Sequence, residues 1–408
     1  MWEQVRSNRI RSAVLVGMMA ALLLAVGYLL GEAFLGNPVG GLVIALVILL
    51  VLNLVAFFQG DNIMLAVSGA RKIKRDDHPR LYNIVEEMKI ASGLERMPDI
   101  YIIDDPAMNA FATGRDANHA SVAVTAGLLQ ALNRDELQGV VGHEIGHIKN
   151  RDVLLMSLCG VLLGAIVILA WYGSRMMLFG GMAGGRRSSR SGGGGGQAII
   201  IIVAIVLAIL APILAQLIYF AISRKREYMA DASSALYTRY PEGLASALEK
   251  LAGSKIQVKA ANQATAPAYI INPFREKGRA AADLTSTHPP ISERIRILRS
   301  MAGGASLGDY NQAYRGIHKG GKPVFSAATL ASTGAVGIRA AVPETTPVER
   351  EPSKVERTRE VSDLMWRMNR YDTITCECGT KLKIPPDFKR SNVRCPHCGR
   401  INSVRPNR

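Results

Sequence analysis

Aromatic residues are scarce in this 408-residue chain, where they make up 6% of the sequence although 49% of all residues are hydrophobic. The hydrophobic residues are concentrated instead in a few long blocks that contain no charged side chain. Blocks of this kind match the length of apolar chain that a bilayer requires. The distribution indicates a membrane protein and argues against one large soluble core.

Acidic residues are few relative to basic ones. The chain has 33 Asp and Glu against 49 Lys and Arg, which gives a formal net charge of +16. Such a balance is typical of a nucleic-acid partner, of contact with an anionic membrane surface, or of the Lys/Arg bias of cytoplasmic loops. Because several membrane spans are present, the last two explanations are simpler, and nucleic acid is not expected as a partner.

Cysteine is rare as well, with five residues in the chain. Four of them form short-spaced C-x-C and C-x-x-C pairs near the C-terminus, and the fifth, Cys159, lies inside an apolar block and is interpreted as a small membrane-facing or packing residue. In a reducing compartment, short-spaced pairs favour metal binding over disulfides.

The chain lacks a small-residue cleavage site after its first apolar block, which argues against a removable signal peptide. That block is also long for a signal sequence, and a second block follows closely, so we interpret it as a retained anchor. Four segments have the roughly 20 apolar residues that a membrane span needs, and they cover residues 12–31, 40–58, 153–172 and 198–223.

The flanking charges predict the orientation of these spans. Arg6, Arg9 and Arg11 precede the first span, and basic clusters also follow the second and fourth spans, which predicts a cytoplasmic N-terminus. The Gly/Arg-rich loop at 173–197 disagrees, because it should lie on the opposite side. Either the rule is broken locally or one of the last two segments does not fully span, and we favour four spans.

Outside the spans, periodicity and residue type predict a mixed α/β domain. A helix is predicted over 79–92, strands over 99–103 and 120–125, and a further helical portion over 227–251. After Met301 the composition shifts to Gly, Ala, Thr, Pro and charged residues, which predicts a flexible, solvated linker.

Four parts are therefore expected along the chain. They are two transmembrane helices in 1–58, a cytoplasmic domain in 59–301 that is interrupted by the transmembrane hairpin of 153–172 and 198–223, a linker in 302–370, and a small module in 371–408.

The strongest motif is an H-E-x-x-H sequence with its histidines at His143 and His147. Its context predicts a helix, because Asn133 can cap the N-terminus and Glu136 follows three residues later. Residues four apart share one face of a helix, so both imidazoles can bind a single ion while Glu144 reaches a water beside it. The string fixes only three residues and also occurs by chance, so a third ligand is needed.

Glu227 is the predicted third ligand, in an E-Y-M-A-D sequence that ends at Asp231. The hairpin of spans three and four leaves the cytoplasmic face directly after the H-E-x-x-H helix and returns directly before Glu227, so the two motifs are expected to meet close to the membrane surface. Asp231 is then placed to orient a ligating imidazole. Taken alone, the pentapeptide is also compatible with an ordinary acidic helix face, and the two motifs together favour the metal site.

These motifs resemble the HtpX-type heat-shock membrane proteases, which are relatives of the CAAX prenyl proteases. The resemblance covers about residues 1–300 and rests on four segments in consistent order: the active-site helix at 136–152, the second motif at 223–231, the strand at 109–114, and the His-Pro motif at 287–290 followed by Glu293-Arg294-Ile295. The tail beyond about Met301 is extra, so no function there follows from the resemblance.

The resemblance implies an α-helical membrane protein with a mixed α/β, gluzincin-like zinc protease domain that faces the cytoplasm from the cell membrane. It implies a multi-pass endopeptidase in quality control of membrane proteins and in stress response, which cleaves membrane proteins or misfolded polypeptides by means of a zinc-activated water. The implied roles are zinc binding by His143, His147 and Glu227, general-base catalysis by Glu144, orientation of a ligand by Asp231, and substrate binding by strand addition at Asn109, Ala110, Phe111 and Ala112. His288 is either a transition-state contact or a structural turn histidine.

The C-terminal cysteines predict a small zinc ribbon with a second, structural Zn²⁺. Each pair ends in a cysteine followed by glycine, between short Lys/Ile/Val strands, and a closed Cys₄ site can stabilise a segment too small to fold by core burial alone. The predicted ligands are Cys376, Cys378, Cys395 and Cys398. A redox or disulfide pair is the alternative. The basic residues of the module favour a solvated face over a contact with nucleic acid or anionic lipid, and they are equally compatible with a substrate-recruiting module.

Two other functions are alternatives to the protease. A membrane-anchored zinc-ribbon binding or recruitment protein would have an inert first site, yet Glu144 is present. A prenyl-protein protease shares the chemistry, but more than four spans around an enclosed chamber would be expected for it.

Overall fold

The computed structural model describes residues 2–32, 36–183, 194–254, 256–259, 269–270, 288–301, 303–319, 323–331, 333–339 and 350–404. The helices in these ranges are α1 (Trp2–Leu30), α2 (Pro38–Val67), α3 (Pro79–Ser92), α4 (Ala126–Ala131), α5 (Arg134–Asn150), α6 (Asp152–Ala183), α7 (Gly194–Thr238), α8 (Pro241–Gly253), α9 (Ile291–Arg299), α10 (Leu307–Ile317), α11 (Ala327–Ala331) and α12 (Lys354–Met368). The strands are β1 (Arg71–Lys72), β2 (Asp99–Ile103), β3 (Ala110–Asp116), β4 (His119–Thr125), β5 (Asp372–Thr375), β6 (Lys381–Ile384), β7 (Asn392–Arg394) and β8 (Ile401–Ser403).

Three helical segments in the described part of the chain are long and apolar enough to cross a membrane, namely Ala13–Leu30, Pro38–Val67 and Asp152–Tyr172. They correspond to the first three predicted spans. The fourth predicted span falls within α7, where several side chains lie outside the described set, so it stays a prediction. The centre of the Gly/Arg-rich loop, residues 184–193, also lies outside the described residues.

Glycines allow α1 and α2 to pack at very short distance. A Cβ atom on Gly41 would lie 2.3 Å from the carbonyl oxygen of Gly27 and 2.4 Å from the Cα of Gly31, so only hydrogen fits there. Small residues at such positions are typical of helix contacts in lipid. The outer faces of these helices are apolar and exposed, as at Leu50 and Leu54, which suits contact with hydrocarbon.

The helices α6 and α7 run antiparallel. Asp152, at the start of α6, forms an ion pair with Arg226 on α7, and about two turns into α6 a Cβ atom on Gly160 would lie 3.8 Å from the Tyr219 hydroxyl. The hairpin therefore brings the end of α5 and the second half of α7 to the same side of the apolar segment.

A four-stranded mixed sheet has the strand order β1-β2-β4-β3. The strands β2 and β4 are parallel, while β1 and β3 run antiparallel to their neighbours. The predicted strand over 99–103 and the predicted helix over 79–92 are confirmed at both ends, and the strand predicted over 120–125 begins one residue earlier. The predicted helical portion over 227–251 is interrupted, because Arg239 adopts φ 54° and Pro241 starts the new helix α8.

The structure differs from the expected flexible linker over 302–370. Within its described residues the segment contains α10, α11 and α12, and Tyr310, Val361 and Leu364 are buried in the main core. The helix α12 also has a capping box between Ser353 and Glu356. Composition predicted a solvated chain because polar residues dominate, whereas one apolar stripe per helix suffices for packing.

Candidate active site and metal centres

The helix α5 begins with the predicted cap. The Asn133 side chain accepts a hydrogen bond from the Glu136 backbone N–H, and the Glu136 carboxylate accepts one from the Asn133 N–H. This capping box satisfies two backbone donors that the helix itself leaves open. It anchors the start of the helix that carries the H-E-x-x-H sequence.

Glycines on α5 let it approach α7 closely enough for the two motifs to meet. A Cβ atom on Gly146 would lie 3.0 Å from Ser233 Cβ and 3.3 Å from Ala230 Cα, tighter than ordinary contact. About two turns earlier on α5, the carbonyl of Gly139 accepts a hydrogen bond from the Ser234 hydroxyl at 2.7 Å. The "x" position next to His147 therefore serves helix packing, and a larger residue there would push the helices apart.

The three residues predicted as metal ligands converge in the structure. The Nε2 atoms of His143 and His147 are 3.2 Å apart. The Glu227 carboxylate lies 3.3 Å from His147 Nε2 and 3.6 Å from His143 Nε2. All three ligand atoms lie within 4.8 Å of one another.

These separations fit a metal ion. Nitrogen and oxygen atoms at about 2.0–2.1 Å from a tetrahedral zinc ion lie about 3.3–3.4 Å from each other. The observed distances of 3.2, 3.3 and 3.6 Å, of which the last two involve different oxygens of Glu227, lie close to that value. Beside them, Glu144 is 1% exposed, and its Oε1 atom has no hydrogen-bond partner in the described part of the chain. Glu144 thus places a buried carboxylate oxygen without a hydrogen-bond partner next to three converging ligand atoms. This arrangement fits a site that holds a metal ion together with a further ligand of that ion.

Both imidazoles are oriented by carboxylates on the side away from the centre. Asp231 Oδ1 lies 2.9 Å from His143 Nδ1, and Asp152 Oδ2 lies 3.1 Å from His147 Nδ1. Each contact assigns the ring proton to Nδ1 and directs the Nε2 lone pair to the centre. Asp231 is predicted from the sequence to orient a ligand, and it lies beside His143; Asp152 is not predicted as a site residue, although it follows the motif closely.

Arg294 is a further residue that sequence reasoning did not assign to the site. Its fully buried guanidinium contacts Asp231 at 2.6 and 2.9 Å, and its Nη1 atom lies 3.1 Å from Glu227 Oε2. It therefore compensates two buried carboxylates at once. The only available signal was its position in the segment after the His-Pro motif.

The electrostatics of the site differ between its two glutamates. Burial raises the pKa of Glu144 above its ordinary value, although both histidines lower it. Burial would also raise the pKa of Glu227, but His288, His143, His147 and Arg294 outweigh it, so that this pKa is well below its ordinary value. Glu227 is thus ionised and suited to ligation, while Glu144 has the raised basicity that a proton acceptor needs.

His288 lies at the edge of the centre. It is buried, with its Nε2 atom 4.0 Å from Glu227 Oε2. Burial lowers the pKa of His288. The position is compatible with either role that the sequence left open, since the side chain is near a ligand and directly precedes Pro289 and Pro290.

The predicted substrate strand is the edge strand β3. Ala110 and Ala112 belong to the main core, whereas Phe111 points to the opposite face, where its ring meets Tyr269 edge to face at 5.3 Å. Asn109 is buried, and its backbone exchanges hydrogen bonds with Thr125. An edge strand offers backbone groups to an added peptide, so the candidate contact is through the main chain.

The four C-terminal cysteines also converge. Cys376 Sγ lies 3.6 Å from Cys398 Sγ, and Cys378 Sγ lies 3.7 Å from Cys395 Sγ. Sulfurs at about 2.3 Å from a tetrahedral zinc ion lie about 3.8 Å apart, and a disulfide requires about 2.05 Å. The four thiols therefore fit one metal ion and do not form disulfides. The knuckles depend on Gly379 and Gly399, at φ 84° and 74°.

Comparison with known proteins gives consistent results. Peptidase family M48 matches residues 75–302. A "Protease HtpX homolog" of Dictyoglomus turgidum is 46% identical over 300 residues, which cover 74% of this chain and 94% of that protein. A "Protease HtpX homolog" of Streptococcus mutans is 43% identical over 301 residues, which cover 74% of this chain and 100% of that protein. The crystal structure of S. mikatae Ste24p aligns with a TM-score of 0.41 at 20% identity, over 73% of this chain and 67% of that one.

The apolar helices, the family match and the HtpX homologues define a membrane-bound metalloprotease. The chain belongs to peptidase family M48.

Proposed function

We propose that the chain is a zinc endopeptidase whose catalytic ion is held by His143, His147 and Glu227. The single observation that carries this proposal is the convergence of two imidazole nitrogens and one ionised carboxylate at tetrahedral spacing. A zinc ion bound there would polarise a peptide carbonyl and make a water molecule a nucleophile near neutral pH.

Glu144 is proposed as the general base. Its carboxylate is buried beside both histidines, and burial raises its pKa. It can accept the proton of the attacking water and return it to the leaving amine. His288, both ligand imidazoles and Arg294 lower the pKa of Glu227 and keep it ionised. Asp231 and Asp152 hold the rings in the ligating tautomer.

A substrate chain is proposed to add to the outer edge of β3, beyond Ala110, whose carbonyl already accepts a hydrogen bond from the Ile270 N–H. Ala112 lies within this strand, and its backbone hydrogen-bonds to Glu144. Main-chain pairing would hold an extended peptide without regard to most of its side chains. This suits an enzyme that cleaves misfolded polypeptides.

The site lies close to the membrane segment. Asp152 contacts His147 and also begins α6, and its second partner, Arg226, precedes Glu227. We therefore propose membrane proteins as substrates, cut on the cytoplasmic side of the cell membrane in quality control and stress response. The recruitment-protein alternative required an inert first site, and the buried Glu144 beside the ligand set argues against it.

The ribbon is proposed to hold a structural Zn²⁺ through Cys376, Cys378, Cys395 and Cys398. Hydrogen bonds from Thr380 lower the pKa of Cys378 to about 5, so this sulfur is readily available as a thiolate. All four ligand positions are taken by protein, which leaves no site for a reacting water.

Cleavage of a model membrane substrate by detergent-solubilised protein tests this function. Wild type should cleave it, a chelator should abolish cleavage, and Glu144→Gln should reduce it by a factor of 100 or more. Glu95→Gln removes an exposed carboxylate in a turn and serves as the matched control, with unchanged activity expected. Retained cleavage in the Glu144→Gln protein would refute the mechanism.

A further inference from the structure

The helix α10 lies outside the part of the chain that matches the family, which ends at residue 302. The relative from Streptococcus mutans is covered over its full length by an alignment to 74% of this chain, so about a quarter of the chain has no counterpart in it. Yet α10 packs against α9 and α7, the helices that carry Arg294 and Glu227. Its Tyr310 is completely buried in the main core.

A polar cluster joins α10 to these two helices around one carboxylate. Glu293 on α9 accepts a hydrogen bond from the Tyr228 hydroxyl of α7. The same oxygen lies 2.9 Å from Nε2 of His318, at the C-terminal end of α10. The His318 ring is stacked on Tyr314 at 4.1 Å, and Tyr314 in turn meets Tyr228 at 5.0 Å. Three helices thus converge on Glu293.

The residues next in sequence belong to the metal centre. Tyr228 directly follows the ligand Glu227, and Glu293 directly precedes Arg294, which contacts both Glu227 and Asp231. A shift of Glu293 therefore moves Arg294, and a shift of Tyr228 rotates the turn of α7 that carries Glu227. On α10, His318 contacts Glu293 and Tyr314 contacts Tyr228.

We propose that α10 is a positioning element for the metal centre, in which His318, held by stacking on Tyr314, fixes Glu293 and thereby the orientation of Glu227 and Arg294. This inference rests on the proposed function, because it takes His143, His147 and Glu227 as the ligand set. It assigns a role to a segment that lies outside the family match. His318 touches neither substrate nor metal and acts through Glu293.

Replacing a residue that holds a metal ligand in position commonly lowers the metal affinity by about 10–100-fold. His318 does not contact a metal ligand and acts through Glu293. We therefore expect its loss to weaken metal binding by about tenfold, at the low end of that range. A merely structural contact would lower the unfolding temperature without changing the affinity of the folded protein for its metal.

The test is a titration of the full-length, metal-free chain with Co²⁺, which gives different absorption for a nitrogen/oxygen site and a thiolate site. His318→Ala should weaken binding at the nitrogen/oxygen site and leave the thiolate site of the ribbon unchanged. His318→Gln, which keeps a donor for Glu293, should restore most of the affinity.

Two control variants separate positioning from stability. Arg315→Ala alters an exposed residue of the same helix and should change nothing. Phe325→Ala removes a buried ring from the same added segment and should lower the unfolding temperature while the Co²⁺ affinity of the folded protein stays the same. An unchanged affinity in His318→Ala, or a loss that Phe325→Ala reproduces, would overturn the proposal.

A His143→Ala protein keeps this test independent of the proposed function. That protein should lose the nitrogen/oxygen absorption altogether. If it does not, the proposed metal site itself is wrong. If it does while His318→Ala binds Co²⁺ as wild type does, only the role of α10 fails.

Discussion

Replacing Arg294 by methionine should destabilise the metal-free protein strongly. The guanidinium is completely buried and is the cation that faces both Asp231 and Glu227, at 2.6 and 3.1 Å. Methionine fills much of the same volume but leaves two carboxylates in the core without that charge. Removing one partner of a buried ion pair costs about 3–5 kcal/mol, and we expect Arg294→Met to lower the free energy of unfolding by that amount.

The same helix offers a matched control. Arg299 also binds two carboxylates, those of Glu242 and Glu249, each at 2.9 Å, but its side chain is 41% exposed. Exposed pairs contribute little because solvent screens them. Arg299→Met should therefore change stability only slightly, although its contacts look equally good on distance alone.

Thermal or urea-induced unfolding of detergent-solubilised, chelator-treated protein measures both variants. Chelation matters because a bound cation would supply part of the missing charge at Glu227. If Arg294→Met and Arg299→Met destabilise the protein equally, the argument from burial is refuted, and Arg294 does not compensate the carboxylates as described.

Three further predictions follow from other contacts. Gly146→Val should reduce both stability and metal content, because its side chain would collide with Ser233, and a normal metal content in the purified variant would contradict this. Burial lowers the pKa of His78 to about 4, so the unfolded chain takes up a proton below about pH 6.5 that the folded protein does not. The free energy of unfolding should thus fall by about 2 kcal/mol between pH 7 and 5. His78→Asn, which keeps an acceptor for the helix cap, should flatten this pH dependence in thermal unfolding. An equally steep pH dependence in wild type and His78→Asn would contradict the prediction. Cys376→Ser should lower the zinc content from two ions to one, as measured by metal analysis, with the other ion retained; loss of both or of neither would count against two separate sites.

The local parts of the site could be predicted from the sequence. The capping box at Asn133 and the spacing of His143 and His147 act within one helix, so a short stretch of sequence contains all the information. Glu227 is distant in sequence but could be placed, because a transmembrane hairpin must return to the side that it left. The cysteine ribbon is similar, since its ligands are close together in sequence.

Residues that act through tertiary contacts were missed. Arg294 and Asp152 are ordinary charged residues in the sequence, and only their neighbours in space make them part of the metal centre. The helices α10 and α12 were assigned to a linker because their apolar residues are sparse. Tyr310 and Val361 are nevertheless buried, since each helix needs only a narrow stripe to pack on an existing core.

The most direct test of the central claim is zinc X-ray absorption on the Cys376→Ser protein, in which the ribbon site is removed. We predict that the zinc ion has nitrogen and oxygen ligands alone, at about 2.0–2.1 Å. When Glu227 is also replaced by alanine, the protein should lose either the ordered imidazole signal or the zinc ion itself. Sulfur donors at about 2.3 Å, or an unaltered zinc environment in the Glu227→Ala protein, would contradict the account.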